Sequence, residues 1–422
     1  MYYKTTLDNG LRILTTPMPH TRSVSVAIFA GVGSRYECEE ERGISHFIEH
    51  MMFKGTERRP TAQQIAEAIE SLGGVMNAGT DNELTVYWAK VAHHHLSIAL
   101  DVLLDMFQHS KFDPEEVEKE RQVILQEINR MMDMPETWVH VLIAGLIWPN
   151  HPVGWETAGT KESVSGITRQ DMLDYIARNY TARNTVISLA GNLEHESVIE
   201  QLTTYLAQWD EKTKPSFLPV TDEPIGPNLQ IEFKKTEQAH LCVGLRGFAL
   251  GDPDRFKLRV LNTILGEGMS SRLFLEIREK RGLAYSVGSY TNYLRDTGAI
   301  ILYAGVPPHK AAEVVSAMME QLDLLRTKEV PEEELEKAKE FSKGRLLLRM
   351  EDTFANAEWI GHQEALDQAV LTVDQVIAQI DAVTAADVQQ VARRLFTTEK
   401  LNLAIVGPFK KEEPFRKCLE LP

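Results

Sequence analysis

The sequence predicts an α+β protein of two homologous domains, each a largely antiparallel sheet packed with helices. Three observations predict this. The chain has 422 residues, beyond the roughly 250–300 at which a single hydrophobic core stops growing. A stretch rich in Pro, Thr and charge, residues 211–228, lies near the midpoint and has no helical or strand period. The two sides of that stretch carry matching signals at one offset, which is the mark of a duplicated unit. The expected domains are residues 1–210 and 229–422, with 211–228 as the linker.

The matching signals are specific. Thr168-Arg-Gln-Asp171 opens a helical pattern that leads to the apolar run Val186-Ile-Ser-Leu-Ala190 and Gly191. Thr384-Ala-Ala-Asp387 opens another that leads to residues 401–406 and Gly407. In both, the Thr precedes the Gly by 23 residues. Each Thr suits the cap of a helix, where its hydroxyl accepts from a free backbone N–H, with the Asp at the third helical position. Asp113-Pro-Glu-Glu116 and Val330-Pro-Glu-Glu333 each open a long charged helix, and proline fits the first turn because its missing N–H has no helical partner to lose. The two prolines are 217 residues apart and the two threonines 216.

Along the chain, residues 1–10 read as a strand leading into an Asn9-Gly10 turn. Residues 23–29, 84–91, 241–245 and 299–304 read as strands, rich in β-branched and aromatic side chains. Helical periods cover 61–72, 95–108, 114–132, 310–325 and 332–349. Hydrophobic residues make up 43% and charged residues 25%, as in a soluble globular protein. The net charge of −16 argues against nucleic-acid binding, which needs a basic face, and suits basic or neutral substrates. Cys38, Cys242 and Cys418 are far apart and lack CxxC spacing. That argues against a disulfide framework and fits a reducing, cytoplasmic location. No basic segment followed by an apolar run opens the chain, so no signal peptide is expected, and no apolar stretch is long enough for a membrane span.

The chemistry concentrates in Gly43-Ile-Ser-His46-Phe-Ile-Glu49-His50-Met-Met-Phe-Lys-Gly55. On a helix, His46 and His50 lie on one face, about 6 Å apart at Cβ, and two imidazoles so placed can grip one zinc ion. Glu49 sits on nearly the same face, placed to hold the attacking water and accept its proton. Histidines at this spacing also occur on solvated faces. Here Phe47, Ile48, Met51, Met52 and Phe53 make the helix strongly apolar, so the polar groups stand near a core and need partners. A catalytic zinc takes three protein ligands. The helix after Pro114 offers Glu120 and Glu127, seven apart on one face beside Val123, Ile124 and Ile128. Glu115, Glu116 and Glu118 read instead as helix N-terminal charges. Neighbouring residues do not share a helix face, so His93-His94-His95 is not expected to bind metal, and Met131, Met132 and Met134 read as core filling.

The inverted motif His46-x-x-Glu49-His50, followed 77 residues later by Glu127, resembles the M16 metallopeptidases, the pitrilysin group. Gly73-Gly74, Asn77-Ala78, His151-Pro152 and Gly159-Thr160 add to the resemblance, which runs from about residue 7 to 407. The length is similar to that of the short members, which include mitochondrial processing peptidase subunits and bacterial homodimeric peptidases. The resemblance implies a zinc metalloendopeptidase with Glu127 as third ligand, Glu120 supporting the site, and Glu49 as general base. It implies cleavage of short or unfolded peptides inside a closed chamber, with an extended peptide paired to the strand edge at Asn77 and Ala78.

In the second half, the glycine turn at residues 266–268 followed by Arg278-Glu-Lys-Arg-Gly-Leu-Ala-Tyr285 reads by itself as a turn, a basic amphipathic helix and a strand from near Ala284. The resemblance makes Arg278 a binder of the substrate carbonyl and Tyr285 a hydrogen-bond donor to the oxyanion. It also makes a homodimer the simplest assembly, with that pair supplied from within the chain or from the partner subunit. A shift of 217 places Thr263, Gly266, Glu267 and Gly344 opposite His46, Glu49, His50 and Glu127, so one zinc per chain is expected. Rival readings are a non-catalytic or regulatory subunit of a processing-peptidase-like complex and a metal-binding module without proteolysis. Within the peptidase reading, a processor of targeting sequences competes with a peptide scavenger.

Overall fold

The computed structural model describes residues 2–206, 209, 214–221 and 226–421; residues 211–213 and 222–225 of the expected linker lie outside the described residues. The apolar runs form two sheets, one from each half of the sequence. The first contains β1 (Tyr3–Thr6), β2 (Arg12–Pro17), β3 (Ser23–Ala30), β4 (Val75–Thr80), β5 (Thr85–Ala92) and β6 (Thr185–Gly191), in the order β1-β2-β6-β3-β5-β4. The second contains β7 (Asn228–Phe233), β8 (Ala239–Arg246), β9 (Ser286–Tyr293), β10 (Gly298–Val306) and β11 (Asn402–Gly407), in the order β7-β11-β8-β10-β9. In the first sheet only β2 and β6 run parallel, and in the second only β7 and β11. Apart from β1, the two sheets therefore repeat one order and one pattern of directions. The fold is α+β, in two sheet-plus-helix domains.

Several local signals produce the elements they predict. The Asn9-Gly10 turn closes the β1–β2 hairpin, with Gly10 at φ +85°. Thr168 and Thr384 both cap helices through reciprocal bonds with Asp171 and Asp387. Helices form at Ile44–Met52 (α1), Ala62–Glu70 (α2), Leu96–His109 (α3), Pro114–Asp133 (α4) and Pro135–Ile147 (α5). Met134, read above as core filling, is 41% exposed at the junction of α4 and α5. Among the described residues no helix is long and apolar enough to cross a membrane.

The chain divides into two compact units by a route more complex than one cut at the linker. The first comprises Met1–Ile128, Trp155–Leu218 and Leu347–Thr372; the second comprises Asn129–Gly154, Pro219–Leu346 and Val373–Pro422. Each half thus lends a helix to the other half's sheet. In the second unit, α5 lies on β8 and β11 and buries Val139, Leu142, Ile143 and Ile147 with Cys242, Ala404 and Val406. In the first unit, the helix Thr353–Ala365 lies on β3 and β6. Periodicity shows that a helix has an apolar face but not which sheet covers it, and the predicted division at 211–228 placed both helices with their sequence neighbours.

Close approach of helix and sheet rests on glycine in both places. A Cβ at Gly244 would lie 2.6 Å from Ile147 Cδ1, and one at Gly361 would overlap the Phe29 ring and lie 2.8 Å from Ser188 Cβ. The lent helix of the first unit is further held at its start, where the Thr353 hydroxyl meets Ser25 Oγ at 2.9 Å. Gly361→Val is expected to destabilise by about 1–3 kcal/mol through overpacking, read as a lower urea midpoint; an unchanged midpoint would show that this contact is not tight.

Candidate metal centre

The site begins with how α1 is seated. Ile44, Phe47, Ile48, Met51 and Met52 are buried to within 1%, and this stripe leaves His46, Glu49 and His50 on the opposite side. The residue before the helix is Gly43, in the left-handed region at φ +90°, with no side chain of its own to cap the free N–H groups. Glu37 does that work from the preceding loop: its two carboxylate oxygens accept from Gly43 N–H at 2.8 Å and Ser45 N–H at 2.9 Å. Burial pushes the Glu37 carboxyl up to about 7, against the pull of those donors.

The ring nitrogens His46 Nε2 and His50 Nε2 are 3.1 Å apart, and Glu127 Oε2 is 3.7 Å from His50 Nε2. Ligand atoms of all three residues lie within 4.8 Å of one another, the one such grouping found among the described residues. Two nitrogen lone pairs facing each other repel unless a proton or cation lies between them. Nitrogens each about 2.0–2.1 Å from one tetrahedral zinc stand roughly 3.3 Å apart, so the donor set and its spacing fit zinc.

The surroundings prepare both rings. His50 Nδ1 is 2.9 Å from Glu120 Oε1, and a proton on Nδ1 leaves Nε2 free as a ligand. The other Glu120 oxygen pairs with Lys54 Nζ at 2.5 Å. Burial alone would raise the Glu120 pKa, but His50 and Lys54 outweigh it and hold it low. Burial lowers the His46 pKa to about 4, aided by His50, which keeps that ring neutral. Burial also opposes a charge on His50, but Glu120 and Glu127 outweigh it and raise its pKa.

Glu49 stands beside this grouping. Burial raises its pKa, and the Thr80 hydroxyl donates to its Oε2 at 2.5 Å, leaving Oε1 for another partner. A cleft of about 410 Å³ opens next to Glu49 and His50, walled by Phe53, Ala66, Ile69 and Met76. Asn77, which also lines it, and Ala78 lie inside β4. Among the described residues β4 is the sheet's edge and pairs only with β5.

The structure separates the two α4 carboxylates by burial. Both project from one face, but Glu120 is buried and Glu127 has 47% of its side chain exposed. Arg278 and Tyr285 belong to the second unit. Arg278 lies on a wide helical turn, Phe274–Lys280, with its guanidinium 4.9 Å from the Phe274 ring and 5.5 Å from the Tyr285 ring. Tyr285 is 73% exposed. Its backbone N–H donates to Gly305 O at 3.1 Å. Thr263, opposite His46 in the duplication, bonds Ser342 Oγ and Glu267 Oε2, each at 3.0 Å. The three adjacent histidines form a short turn, His93–His95. Sequence reasoning missed Glu37, Lys54 and Thr80. The signal for Glu37 was the absence of a capping side chain at position 43; Lys54 and Thr80 gave none.

Comparison with known proteins identifies the family. The family profile described as "Insulinase (Peptidase family M16)" matches residues 12–161, and that described as "Peptidase M16 inactive domain" matches residues 166–341. YmxG of Bacillus subtilis (strain 168), described as an uncharacterized zinc protease, is 39% identical over 409 residues, 97% of this chain and 98% of its own. SCO5738 of Streptomyces coelicolor, described likewise, is 36% identical over 98% of this chain and 91% of its own. A protease from Helicobacter pylori shares the fold with a TM-score of 0.89 at 23% identity, over 97% of this chain and 99% of that one. A two-domain chain with an inverted His-Glu-His helix and a distant carboxylate is the class these features define. The chain belongs to peptidase family M16.

Glu37 generates a pH prediction. Its folded pKa of about 7 lies above its ordinary 4.5. The stability it contributes is therefore full below about 4.5 and is lost as pH rises to about 7, by up to roughly 3 kcal/mol. Wild type should lose stability relative to Glu37→Gln between pH 5 and 8 in urea melts; parallel pH curves would contradict this.

Proposed function

We propose that this chain is a zinc-dependent metalloendopeptidase in which His46, His50 and Glu127 hold one ion and Glu49 is the general base. The observation that carries the reading is the grouping of those three ligand atoms within 4.8 Å, with the half-buried carboxylate of Glu49 on the same side of α1 as the two histidines. Relatives described as zinc proteases over nearly the whole chain support it.

When bound, zinc acts as a Lewis acid, polarising the scissile carbonyl and making water a stronger nucleophile. Glu49 accepts the proton of the attacking water as the carbon–oxygen bond forms, and returns it to the amine as the carbon–nitrogen bond breaks. Glu120 holds the His50 ring through Nδ1. An extended or unfolded peptide pairs with the free edge of β4 at Asn77 and Ala78, where backbone bonding gives affinity with little demand on sequence. Arg278 takes a peptide carbonyl and Tyr285 donates to the oxyanion; their mutual stacking and the exposure of Tyr285 suit such roles. A homodimer is the assembly this reading favours.

The test is cleavage of an unstructured, internally quenched peptide before chelation, after chelation and after zinc is restored. Activity should vanish with the metal and return with it, and Glu49→Gln should lower kcat by about 10²–10⁴-fold. A protein that holds zinc yet cleaves no peptide of a broad library would contradict the reading and favour a non-catalytic subunit.

A further inference from the structure

Strand β4 ends in Thr80, which pairs with Thr85 of β5 but turns its side chain to a partner outside the sheet. Along Val75–Thr80 the burial alternates, with Met76, Ala78 and Thr80 half-buried on one face and Val75, Asn77 and Gly79 exposed on the other. Thr80 points to the α1 side and spends its hydroxyl on Glu49 Oε2, at the 2.5 Å expected of a hydroxyl bonded to a charged carboxylate.

The position of Thr80 is fixed from behind. The turn after it is closed by Asp81, whose Oδ1 accepts from the N–H groups of Glu83 at 2.6 Å and Leu84 at 2.7 Å. That turn is docked on the loop before α1: Ser34 N–H donates to Asp81 O at 3.1 Å and Arg35 N–H to Asn82 O at 2.8 Å. Arg35 and Glu83 form an ion pair of 2.6 Å between almost fully buried side chains. A β-branched side chain is also stiff at χ1, so the hydroxyl is presented in one direction.

Glu49, by contrast, has two oxygens and rotatable bonds, and must offer one oxygen in one place. We propose that Thr80 is a positioning residue for Glu49: it clamps Oε2, aims Oε1, and ties the aim of the base to the strand on which the peptide docks. This rests on the peptidase reading above. It predicts that losing the hydroxyl harms turnover more than binding, because a misplacement of about 1 Å can cost 10²-fold in rate.

The experiment compares wild type, Thr80→Val, Thr80→Ser and Glu49→Gln by three readouts. These are bound zinc per chain, the affinity of the metal-free protein for a fluorescent unstructured peptide, and kcat and KM on the quenched peptide. Thr80→Val keeps the branched shape without the donor. It should retain zinc, bind the peptide and show KM within about twofold of wild type, with kcat down roughly 10–100-fold. Thr80→Ser, which keeps the donor, should recover most of that loss. The proposal is overturned if Thr80→Val matches wild type in kcat, if it loses zinc or peptide binding, or if Thr80→Ser is as impaired as Thr80→Val. An inactive wild type that still holds zinc would instead remove the peptidase reading on which the proposal rests.

Discussion

His46, Glu49 and His50 meet the side chains of α4 and β4 only because α1 cannot roll or slide. Its apolar stripe is buried to within 1%, so any rotation exposes Phe47 or Ile48 and buries charge without a partner. At its start, Glu37 binds two of the free N–H groups, which fixes the helix along its axis. Both constraints are needed, since His50 Nδ1 is 2.9 Å from Glu120 Oε1 and its Nε2 is 3.7 Å from Glu127 Oε2, and a shift of a fraction of a turn would part α1 from both carboxylates. The rest of the site is built outward from this seating: α4 brings Glu120 to the outer nitrogen of His50 and Glu127 to the inner one, and β4 brings Thr80 to Glu49.

The helix motif was legible in the sequence because its geometry is local. Residues four apart share a face whatever the helix packs on, and the apolar neighbours of His46 announced a buried side. α4 was half legible. Seven residues apart, Glu120 and Glu127 are equivalent to any periodic argument, and only the burial of one against His50 and Lys54 separates them. Glycine at position 43 signals that the cap must come from elsewhere but does not name Glu37, and Thr80 was not legible, because it reaches its partner from a strand to a helix. The sheets were legible as runs of β-branched residues, and the repeat at offsets of 216 and 217 reappears as one strand order used twice.

The exchange of helices shows where such reasoning stops. α5 and the helix Thr353–Ala365 have apolar faces that any reading would bury, yet each is assigned to the sheet of the opposite half. What decides the choice is fit: a glycine under Ile147 in one case and a glycine over Phe29 in the other. The repeat has diverged around the same scaffold. Where the first unit has His46 on its helix, the second has Thr263, whose hydroxyl is taken up by Ser342 and Glu267.

The central claim is that these three side chains make one zinc site. Zinc K-edge X-ray absorption on the zinc-loaded protein tests it most directly, with Glu127→Gln beside it. The account predicts two imidazole nitrogens at about 2.0–2.1 Å with the remaining ligands oxygen, and weakened zinc retention in the variant. A sulfur ligand, a single imidazole, or an unchanged spectrum and affinity in Glu127→Gln would contradict it.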